Sequence, residues 1–443
     1  MHLVMVGLSH DSTPVEWRER VSFSRDSAGE ALGRLLADSR LTEAVILSTC
    51  NRTEIYVLAE SQEAGEARIR EFIRQHVGQD LPFTGVTRAD REAMHHLFRV
   101  SAGLESLVLG EGQIIAQVRI ALELARERGA VGPILERCFQ AALKAGKRAR
   151  HETDIARGAV SVSHVAIALA AEALGGLEGR NILLLGAGKM SELAARHLEH
   201  HRPGAVRVAN RSFDSAVTLA RSVGGEAVAW IDLATHLSRA DVVLCCTGAP
   251  HMVLMRGDVE AARRHAERVQ PQVFIDISVP RNLDPAIGTI QGVVLHDVDG
   301  LREVANRNRH ERESSVAAVE AILDAELSDV EAWIRNLRVT PTIASLRGRI
   351  QSQCDDELAR FWLRHQGEFS PDQQEQVAML VRGLVNKVLH QPTAELKRLS
   401  GRQLDRHSAI LGQLFGLSIE APTEVYKRKV QERRYRARTP SAR

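Results

Sequence analysis

Residues 181–191 have the sequence Asn181-Ile-Leu-Leu-Leu-Gly-Ala-Gly-Lys-Met-Ser191 and predict the fold of the middle of the chain. The apolar first half of this stretch is typical of a parallel strand buried on both faces. The glycines that follow allow a tight turn and let a pyrophosphate approach the backbone at a helix N-terminus, although Ser191 stands where a third glycine is usual. We therefore predict a dinucleotide-binding loop. Its predicted cofactor-binding residues are Gly186, Ala187, Gly188, Lys189, Met190 and Ser191.

Downstream of this loop, short apolar runs alternate with helical patterns. These runs lie at residues 206–209, 241–245, 273–277 and 293–295. Strands that alternate with helices in this way predict a doubly wound, Rossmann-type parallel sheet.

The residues after the second strand of this domain indicate which dinucleotide binds. An NAD site commonly has an acidic residue there, for the ribose hydroxyls. This chain instead has Asn210, Arg211 and Ser212, which suit a 2′-phosphate, so NADPH is the predicted cofactor. Thr247, just past the apolar run 241–245, is expected to line the cofactor's path.

Composition limits the class of protein. A chain of 443 residues predicts two to four domains, and its low aromatic content, 4%, favours helices and buried α/β strands. A net charge of +2 excludes nucleic-acid binding by bulk charge. The five cysteines are scattered without a CxxC pair, which excludes a disulfide framework and a zinc site. Without a signal peptide or an apolar run of membrane-spanning length, a soluble cytoplasmic protein is expected.

The first 150 residues read as a small α/β domain in which two apolar runs flank Ser48-Thr-Cys-Asn-Arg-Thr-Glu54. A cysteine at a strand-to-turn boundary beside Arg52 either has a lowered thiol pKa and acts as a nucleophile, or is a small buried hydrophobe. The residues leave both readings of Cys50 open. The other cysteines lie inside helix or strand patterns and are expected to be structural. They are Cys138, Cys245, Cys246 and Cys354.

Residues 103–117 form a second polar segment, with Glu111, Gln113 and Gln117 set among apolar residues. A packed core alone does not require this many hydrogen-bonding groups so close together. His95 and His96 lie upstream, where a catalytic and a structural role are equally supported by the sequence.

Beyond about residue 301 the pattern is helical. Residues 303–337 predict one helix roughly 50 Å long, broken at Thr340-Pro341. Further helices are expected at residues 343–366, 372–390 and 393–399, with partner helices from a second chain. The basic residues 427–438 are expected to form a disordered tail rather than an RNA contact.

The combination of these motifs resembles glutamyl-tRNA reductases, in order from residue 7 to beyond residue 300. One departure is Gly112, where many members have proline, and only a local backbone effect is expected. The segments that carry the resemblance are Gly7-Leu-Ser-His10, Pro14-Val-Glu-Trp-Arg-Glu19, Ser48-Thr-Cys-Asn-Arg-Thr-Glu-Ile-Tyr56, Ser106-Leu-Val-Leu-Gly-Glu-Gly-Gln113, Gly186-Ala-Gly188 and Ile275-Asp-Ile-Ser-Val-Pro-Arg-Asn282.

The resemblance implies an NADPH-dependent reduction of glutamyl-tRNA(Glu) to glutamate-1-semialdehyde, the first step of tetrapyrrole synthesis from glutamate. It makes Cys50 the nucleophile that forms a thioester and His96 a general acid or base. Arg52 is the expected partner of the substrate γ-carboxylate. The implied substrate-binding residues are Thr49, Asn51, Arg52, Ser106, Glu111, Gly112, Gln113 and Gln117. No motif requires a metal.

The resemblance also implies an α/β multidomain architecture. We expect a catalytic α/β domain at residues 1–152, a Rossmann-type NADP(H) domain at 153–302, a long spinal helix with a helical dimerisation domain at 303–425, and the tail at 426–443. The implied partners are glutamyl-tRNA(Glu), a second copy of the chain and, transiently, the aminomutase that takes the aldehyde. Residues 144–150 are either a phosphate contact or a solvated helix face, and the sequence supports both equally. The cofactor domain is expected to move relative to the spinal helix.

Two rival functions stay open. An NADP-dependent dehydrogenase of a small hydroxy acid explains the cofactor motifs but leaves Cys50 and the helical tail without a role. A non-catalytic tRNA-binding protein is the other, and the intact Cys50-Asn-Arg52 motif argues against it.

Overall fold

The computed structural model describes residues 1–80, 82, 85–156, 162–265, 270–301, 313–399, 401–417, 426 and 430. It divides into two compact units, Met1–Glu326 and Leu327–Arg443. The predicted tail lies outside the described residues apart from Tyr426 and Val430, and so do residues 303–312 of the predicted spinal helix.

The N-terminal domain is built on a four-stranded antiparallel sheet of order β2-β3-β1-β4, the order of a βαββαβ unit. Its elements are β1 (His2–Ser9), α1 (Val15–Val21), α2 (Arg25–Leu35), β2 (Leu41–Ser48), β3 (Arg52–Ala59), α3 (Gln62–Val77), β4 (Val86–Ala89), α4 (Asp90–Ala102), α5 (Gln113–Glu127) and α6 (Pro133–Glu152).

The second domain has a six-stranded parallel sheet of order β10-β9-β8-β5-β6-β7, which confirms the predicted doubly wound fold. Leu184 and Leu183 of the strand 181–185 belong to different core clusters, because successive side chains point to opposite faces of a strand. The elements are α7 (Val162–Leu174), β5 (Asn181–Leu185), α8 (Lys189–Leu198), β6 (Ala205–Ala209), α9 (Phe213–Ser222), β7 (Glu226–Val228), α10 (Leu233–Arg239), β8 (Val242–Cys245), α11 (Arg256–His265), β9 (Gln272–Asp276) and β10 (Val293–His296).

The described part of the C-terminal region contains α12 (Glu313–Arg364), α13 (Pro371–Arg398) and α14 (Gly401–Phe415). The predicted break at Thr340-Pro341 is wrong, because α12 continues through Pro341. The predicted separation of helices at residues 390–393 is also wrong, because α13 continues through Pro392.

Packing explains why these prolines do not end their helices. Val339, two residues before Pro341, is buried against Leu396 and Leu404. The Thr340 hydroxyl donates to the Asn336 carbonyl at 2.6 Å, a local bond of the kind that accompanies helix bends. Tertiary contacts on both sides of the proline therefore outweigh its local preference.

The described residues contain neither a helix that could span a membrane nor a cluster that could bind a metal ion. None of the helices in the described ranges is long and apolar enough to cross a membrane. Nor do the described His, Cys, Asp and Glu side chains include a group of three or more that is arranged to hold a metal ion.

Candidate active site

The hairpin between β2 and β3 holds Cys50 at its tip. Ser48 pairs with Thr53 in the ladder, so the residues between them form the turn. The Thr49 hydroxyl accepts hydrogen bonds from the backbone N–H groups of Asn51 and Arg52, both at 3.2 Å. A threonine that bonds the next backbone groups stabilises such a turn. The backbone of Cys50 is therefore held in one conformation.

Cys50 is half-buried, and charged groups lie around its thiol. Burial raises its pKa to about 11, the Glu111 carboxylate acts in the same direction, and Arg18 and Arg52 oppose them. Of the two readings that the sequence leaves open, a lowered thiol pKa is not supported in this conformation, because desolvation outweighs the two guanidinium groups. The thiol is protonated at neutral pH and needs a base before it can attack.

A buried network lies beside the hairpin, on the face of β3 that alternate residues share. The Glu54 carboxylate accepts from Arg52 Nη1 at 2.9 Å, from His96 Nε2 at 2.8 Å and from the Tyr56 hydroxyl at 2.7 Å. Burial alone would raise the pKa of Glu54, but His96 and Arg52 hold it well below its usual range. Glu54 is thus a buried anion, and the sequence-based prediction of the site did not include it.

This network changes what is expected of Arg52. One terminal nitrogen of its guanidinium donates to Glu54 and the other to the Glu105 carbonyl. Both arms of the predicted γ-carboxylate fork are occupied, so in this conformation Arg52 is not free to bind a substrate carboxylate bidentately.

The two neighbouring histidines have different surroundings. His96 bonds Glu54 through Nε2, and its Nδ1 is buried without a partner among the described residues. His95 instead contacts Glu320 of α12 at 3.0 Å. Only His96 therefore joins the network beside Cys50.

The polar segment after α4 contributes Glu111, which is buried. Burial raises the pKa of its carboxyl to about 7, although the Val162 backbone and Arg52 oppose the shift. The Nε2 atom of Gln113 is buried and has no partner within the described ranges. Ser106 and Gln117, the other predicted members of this segment, are partly exposed.

Gly112 precedes α5 with φ −82°, a value that proline also adopts. A Cβ at this position would meet the Arg150 guanidinium at 2.9 Å. That guanidinium donates to the Gly110 carbonyl at 2.6 Å. A proline here would fit the backbone but would have to displace the Arg150 guanidinium, so glycine at this position matters for a side chain as well as for the local backbone.

In the dinucleotide loop, Gly186 has φ +104°, and a Cβ there would lie 2.7 Å from the Cys246 carbonyl oxygen. The turn after β5 therefore requires glycine at this position. Gly188 opens α8 and has no atom within 4 Å of its Cβ position, which leaves room for a ligand. Ser191 is fully buried and packs the helix onto the sheet. Lys189 and Ala187 stay accessible, and Met190 accepts a bond from Ser163 through its carbonyl.

Beyond β6, the Arg211 side chain is exposed and makes no ion pair with any described residue. Asn210 and Ser212 bond locally at the start of α9: Asn210 Nδ2 donates to the Ser212 carbonyl, and Ser212 Oγ accepts from the Ser215 hydroxyl. The Thr247 hydroxyl donates to Asn282 and accepts from the Ala249 N–H. Thr247 is thus bound within the protein and shapes this edge of the sheet.

Asp276 is a second buried carboxylate absent from the predicted site. It ends β9 and accepts backbone N–H bonds from Ser278, Asn282 and Leu283 at 2.7–2.9 Å. Burial raises its pKa, although these bonds oppose the shift. Asp276 organises the loop after β9, and its place in the quoted segment 275–282 was the available signal.

The candidate phosphate contact at residues 144–150 is largely occupied. Lys144 and Arg148 both pair with Glu326, at 2.8 and 2.9 Å, and Arg150 bonds the Gly110 carbonyl. Of the four basic residues, Lys147 is exposed and forms no ion pair with the part of the chain that the structure describes.

Comparison with known proteins gives three family matches along the chain. Residues 6–153 match the N-terminal domain of glutamyl-tRNA(Glu) reductase, residues 168–304 match shikimate/quinate 5-dehydrogenase, and residues 318–417 match the dimerisation domain of glutamyl-tRNA(Glu) reductase. The second match and the parallel sheet make residues 168–304 a domain for a nicotinamide-type cofactor.

Relatives that match nearly the whole chain are glutamyl-tRNA reductases. The glutamyl-tRNA reductase of Rubrobacter xylanophilus is 42% identical over 404 residues, covering 90% of this chain and 93% of the relative. That of Trichlorobacter lovleyi is 39% identical, covering 95% and 97%. The solved structure of glutamyl-tRNA reductase from Methanopyrus kandleri is 32% identical with a TM-score of 0.52, covering 94% of this chain and 99% of that one.

Proposed function

Because this chain belongs to the glutamyl-tRNA reductase family, we propose that it reduces glutamyl-tRNA(Glu) with NADPH. The products are glutamate-1-semialdehyde, NADP⁺ and free tRNA, and the reaction begins tetrapyrrole synthesis from glutamate. The observation that supports this proposal best is the Cys50 hairpin beside the buried Glu54 network, in the same compact unit as a dinucleotide loop.

In the first half-reaction the Cys50 sulfur attacks the carbonyl carbon of the aminoacyl ester. The carbon–sulfur bond forms, the bond to the 3′-terminal ribose oxygen breaks, and that oxygen takes a proton as the tRNA leaves. The thiol proton goes to a base of the protein. The thioester keeps the glutamyl group on the enzyme and accepts a hydride more readily than an ester does.

Two residues are proposed for proton transfer. Glu111 acts on the Cys50 thiol electrostatically, and a carboxyl with a pKa of about 7 is half ionised at neutral pH, the state suited to a general base. His96 is the proposed acid or base at the leaving group, with Glu54 fixing the orientation of its ring.

The substrate pocket is inferred from groups that lack partners. Asn51 Oδ1 is a buried acceptor and Gln113 Nε2 a buried donor, neither with a partner among the described residues. Buried polar atoms without partners cost free energy, so a ligand with an ammonium and a carboxylate is favoured there. Thr49, Arg52, Ser106, Gly112 and Gln117 are the other proposed contacts, and Arg52 reaches substrate only if it leaves Glu54 or Glu105.

The cofactor-binding residues fit NADPH. Residues 186–191 would hold the pyrophosphate at the N-terminus of α8, where no side chain caps the helix. Exposed Arg211, with Asn210 and Ser212, would bind the 2′-phosphate, and Thr247 shapes the cofactor's path. When bound, the cofactor supplies a hydride. The thioester carbon receives it, the carbon–sulfur bond breaks, and the released Cys50 thiolate takes a proton.

Assembly and location belong to the same proposal. A dimerisation domain is present, and we expect a homodimer formed through the C-terminal helices. Handover of the aldehyde to an aminomutase in a transient complex, movement of the cofactor domain during the cycle and a cytoplasmic location are proposed from the family alone.

The test is product analysis of the purified full chain with glutamyl-tRNA(Glu) and either NADPH or NADH. The proposal predicts aldehyde and deacylated tRNA in equal amounts, with NADPH preferred. Oxidation of free hydroxy acids with no aldehyde from glutamyl-tRNA would favour the dehydrogenase alternative. Binding of tRNA without turnover would favour the non-catalytic one.

A further inference from the structure

The helix α1 carries a motif to which the proposed chemistry assigns no role, Pro14-Val-Glu-Trp-Arg-Glu19. Its Arg18 guanidinium is buried, with 2% of the side chain exposed. Nε donates to the Thr13 carbonyl at 3.1 Å, Nη1 donates to the Cys50 carbonyl at 2.7 Å, and Nη2 donates to the Asp299 carboxylate. One side chain therefore joins the backbone of the nucleophile to a carboxylate beyond β10.

Asp299 belongs to the cofactor domain, 281 residues along the chain from Arg18. A buried guanidinium needs a compensating negative charge. Among the described residues, Asp299 is the carboxylate that pairs with Arg18. The positive charge of Arg18, which holds the Cys50 backbone, is thus neutralised by Asp299 of the cofactor domain.

A second contact supports the same docking. The Glu19 carboxylate accepts from the Arg281 backbone N–H at 2.6 Å and from its Nε at 2.9 Å, and Glu16 accepts from Arg281 Nη1 at 3.2 Å. Arg281 lies in the loop that Asp276 organises. Two segments that carry the family resemblance, 14–19 and 275–282, therefore contact each other across the domain boundary.

We propose that Arg18 is a positioning residue that fixes the backbone of Cys50 while Asp299 of the cofactor domain is docked on it. The inference rests on the proposed function. Docking of the cofactor domain then places the thioester for hydride addition, and undocking releases the Arg18–Cys50 bond. A thioester on a released hairpin is more open to water, which cleaves the carbon–sulfur bond to give free glutamate and the thiol.

The test measures how a preformed thioester is partitioned. Full-length wild type, Asp299→Asn, Asp299→Glu and Arg18→Lys are loaded with labelled glutamate from glutamyl-tRNA, freed of tRNA and mixed with NADPH. The label is then counted as aldehyde or as free glutamate. Glu127→Gln is the matched control, because Glu127 forms an exposed ion pair with Arg25 and pairs with neither Arg18 nor Asp299.

Compared at equal amounts of loaded thioester, Asp299→Asn and Arg18→Lys should shift the ratio of aldehyde to glutamate by about tenfold toward glutamate, a coupling typical of linked sites. Asp299→Glu should recover most of the wild-type ratio, since the charge returns. The double variant Arg18→Lys/Asp299→Asn should be no worse than either single change, because both remove one interaction. A wild-type ratio in Asp299→Asn would overturn the inference.

A second readout does not depend on turnover. The Cys50 thiol is faced by Arg18, Arg52 and Glu111. Without Asp299 the charge of Arg18 is uncompensated, so iodoacetamide should alkylate Cys50 of Asp299→Asn faster at a given pH than Cys50 of wild type. Equal alkylation rates across pH would also overturn the inference. If wild type forms no thioester, the proposed function fails; if it forms one with no change in partition, only this inference fails.

Discussion

Glu54 is the residue on which the charge balance of the site depends. It is fully buried and accepts hydrogen bonds from a guanidinium, an imidazole and a phenol. Each partner is itself buried or nearly so, so none of them has water as a replacement. Removing the carboxylate charge would leave Arg52 buried without its counter-ion.

We therefore expect Glu54→Gln to lower the free energy of unfolding by about 3–5 kcal/mol, the usual cost of breaking a buried pair on one side. Aldehyde formation should fall by about 100-fold, because the amide gives His96 no negative charge to orient its ring and has only one acceptor oxygen for three donors. Urea unfolding and a turnover assay check both. Glu226→Gln, in an exposed pair with Arg207, should change stability by less than about 0.5 kcal/mol. Unchanged stability in Glu54→Gln would contradict this account of the network.

Glu111 makes the stability of the folded protein depend on pH in a definite direction. Burial raises its pKa from 4.5 to about 7, so the folded protein binds more protons than the unfolded chain between these values. Stability should therefore fall as pH rises through this window. Glu111→Gln removes that loss and should be up to about 3 kcal/mol more stable than wild type at pH 8, with a smaller difference at pH 5.

Unfolding curves at the two pH values measure this effect, and Glu127→Gln, an exposed site, serves as the control. The same variant should lose the rise in thioester formation between pH 6 and pH 8 that wild type shows if Glu111 is the base, a window about one unit either side of its pKa. A Glu111→Gln profile that still rises with pH 7 as midpoint would assign the base to another group.

At this scale the sequence indicates residue types better than environments. Cys50 and His96 are indicated by the family resemblance, although the residues alone leave a structural role open for both. The direction of the Cys50 thiol shift is not, because it depends on burial and on Glu111, 61 positions away in the chain. The pairing of Arg18 with Asp299 could not be predicted from the sequence either, because it joins two domains that are far apart in the chain.

At the level of the elements, the two glycines of the loop between β5 and α8 have different roles: Gly186 is required by the backbone, and Gly188 leaves room for the cofactor. Gly186→Ala forces an L-residue into φ +104° and puts its Cβ 2.7 Å from the Cys246 oxygen, so a loss of about 1–3 kcal/mol is expected. Gly188→Ala meets no atom within 4 Å and should leave stability unchanged. It should weaken NADPH binding, since the pyrophosphate approaches the backbone there.

Thermal unfolding and fluorescence titration with NADPH distinguish the two variants. Gly257→Ala, which is also in open space but in α11, should change neither stability nor binding. Wild-type NADPH affinity in Gly188→Ala would place the pyrophosphate elsewhere.

The helices α12 and α13 show where local signals mislead. Proline is the strongest helix breaker in a sequence, and the predicted breaks followed from Pro341 and the segment around Pro392. Both helices continue because residues on either side are buried in their own unit, such as Val339 before Pro341 and Leu396 after Pro392. By contrast, the apolar strands of the parallel sheet were predictable, because their continuous apolar runs report burial directly; β7, with one buried residue in three, was not predicted.

For the whole molecule, α13 has apolar residues on more than one face. Val385 and Leu389 are buried within the C-terminal unit. Their neighbours Leu384 and Val388 are 54% and 67% exposed, and Met379 and Leu380 are exposed too. A second apolar surface of this kind indicates a protein interface, and a dimerisation domain matches the same residues.

We expect Leu384→Arg/Val388→Arg to shift the protein from dimer to monomer while its far-ultraviolet circular dichroism is retained, because two charges would be buried in an apolar interface. Sedimentation velocity measures the change. Glu226→Arg, on the cofactor domain, should stay dimeric. A dimeric double variant would place the interface elsewhere on the C-terminal helices.

In the proposed reaction Cys50 carries the glutamyl group between two half-reactions. Single-turnover transfer of labelled glutamate from glutamyl-tRNA to protein is the direct test of that role. Without NADPH, wild type and the control Cys354→Ser should form a thiol-labile labelled adduct, and Cys50→Ala should form none. Adding NADPH should release the label as aldehyde. An adduct on Cys50→Ala, or none on wild type, would contradict the account.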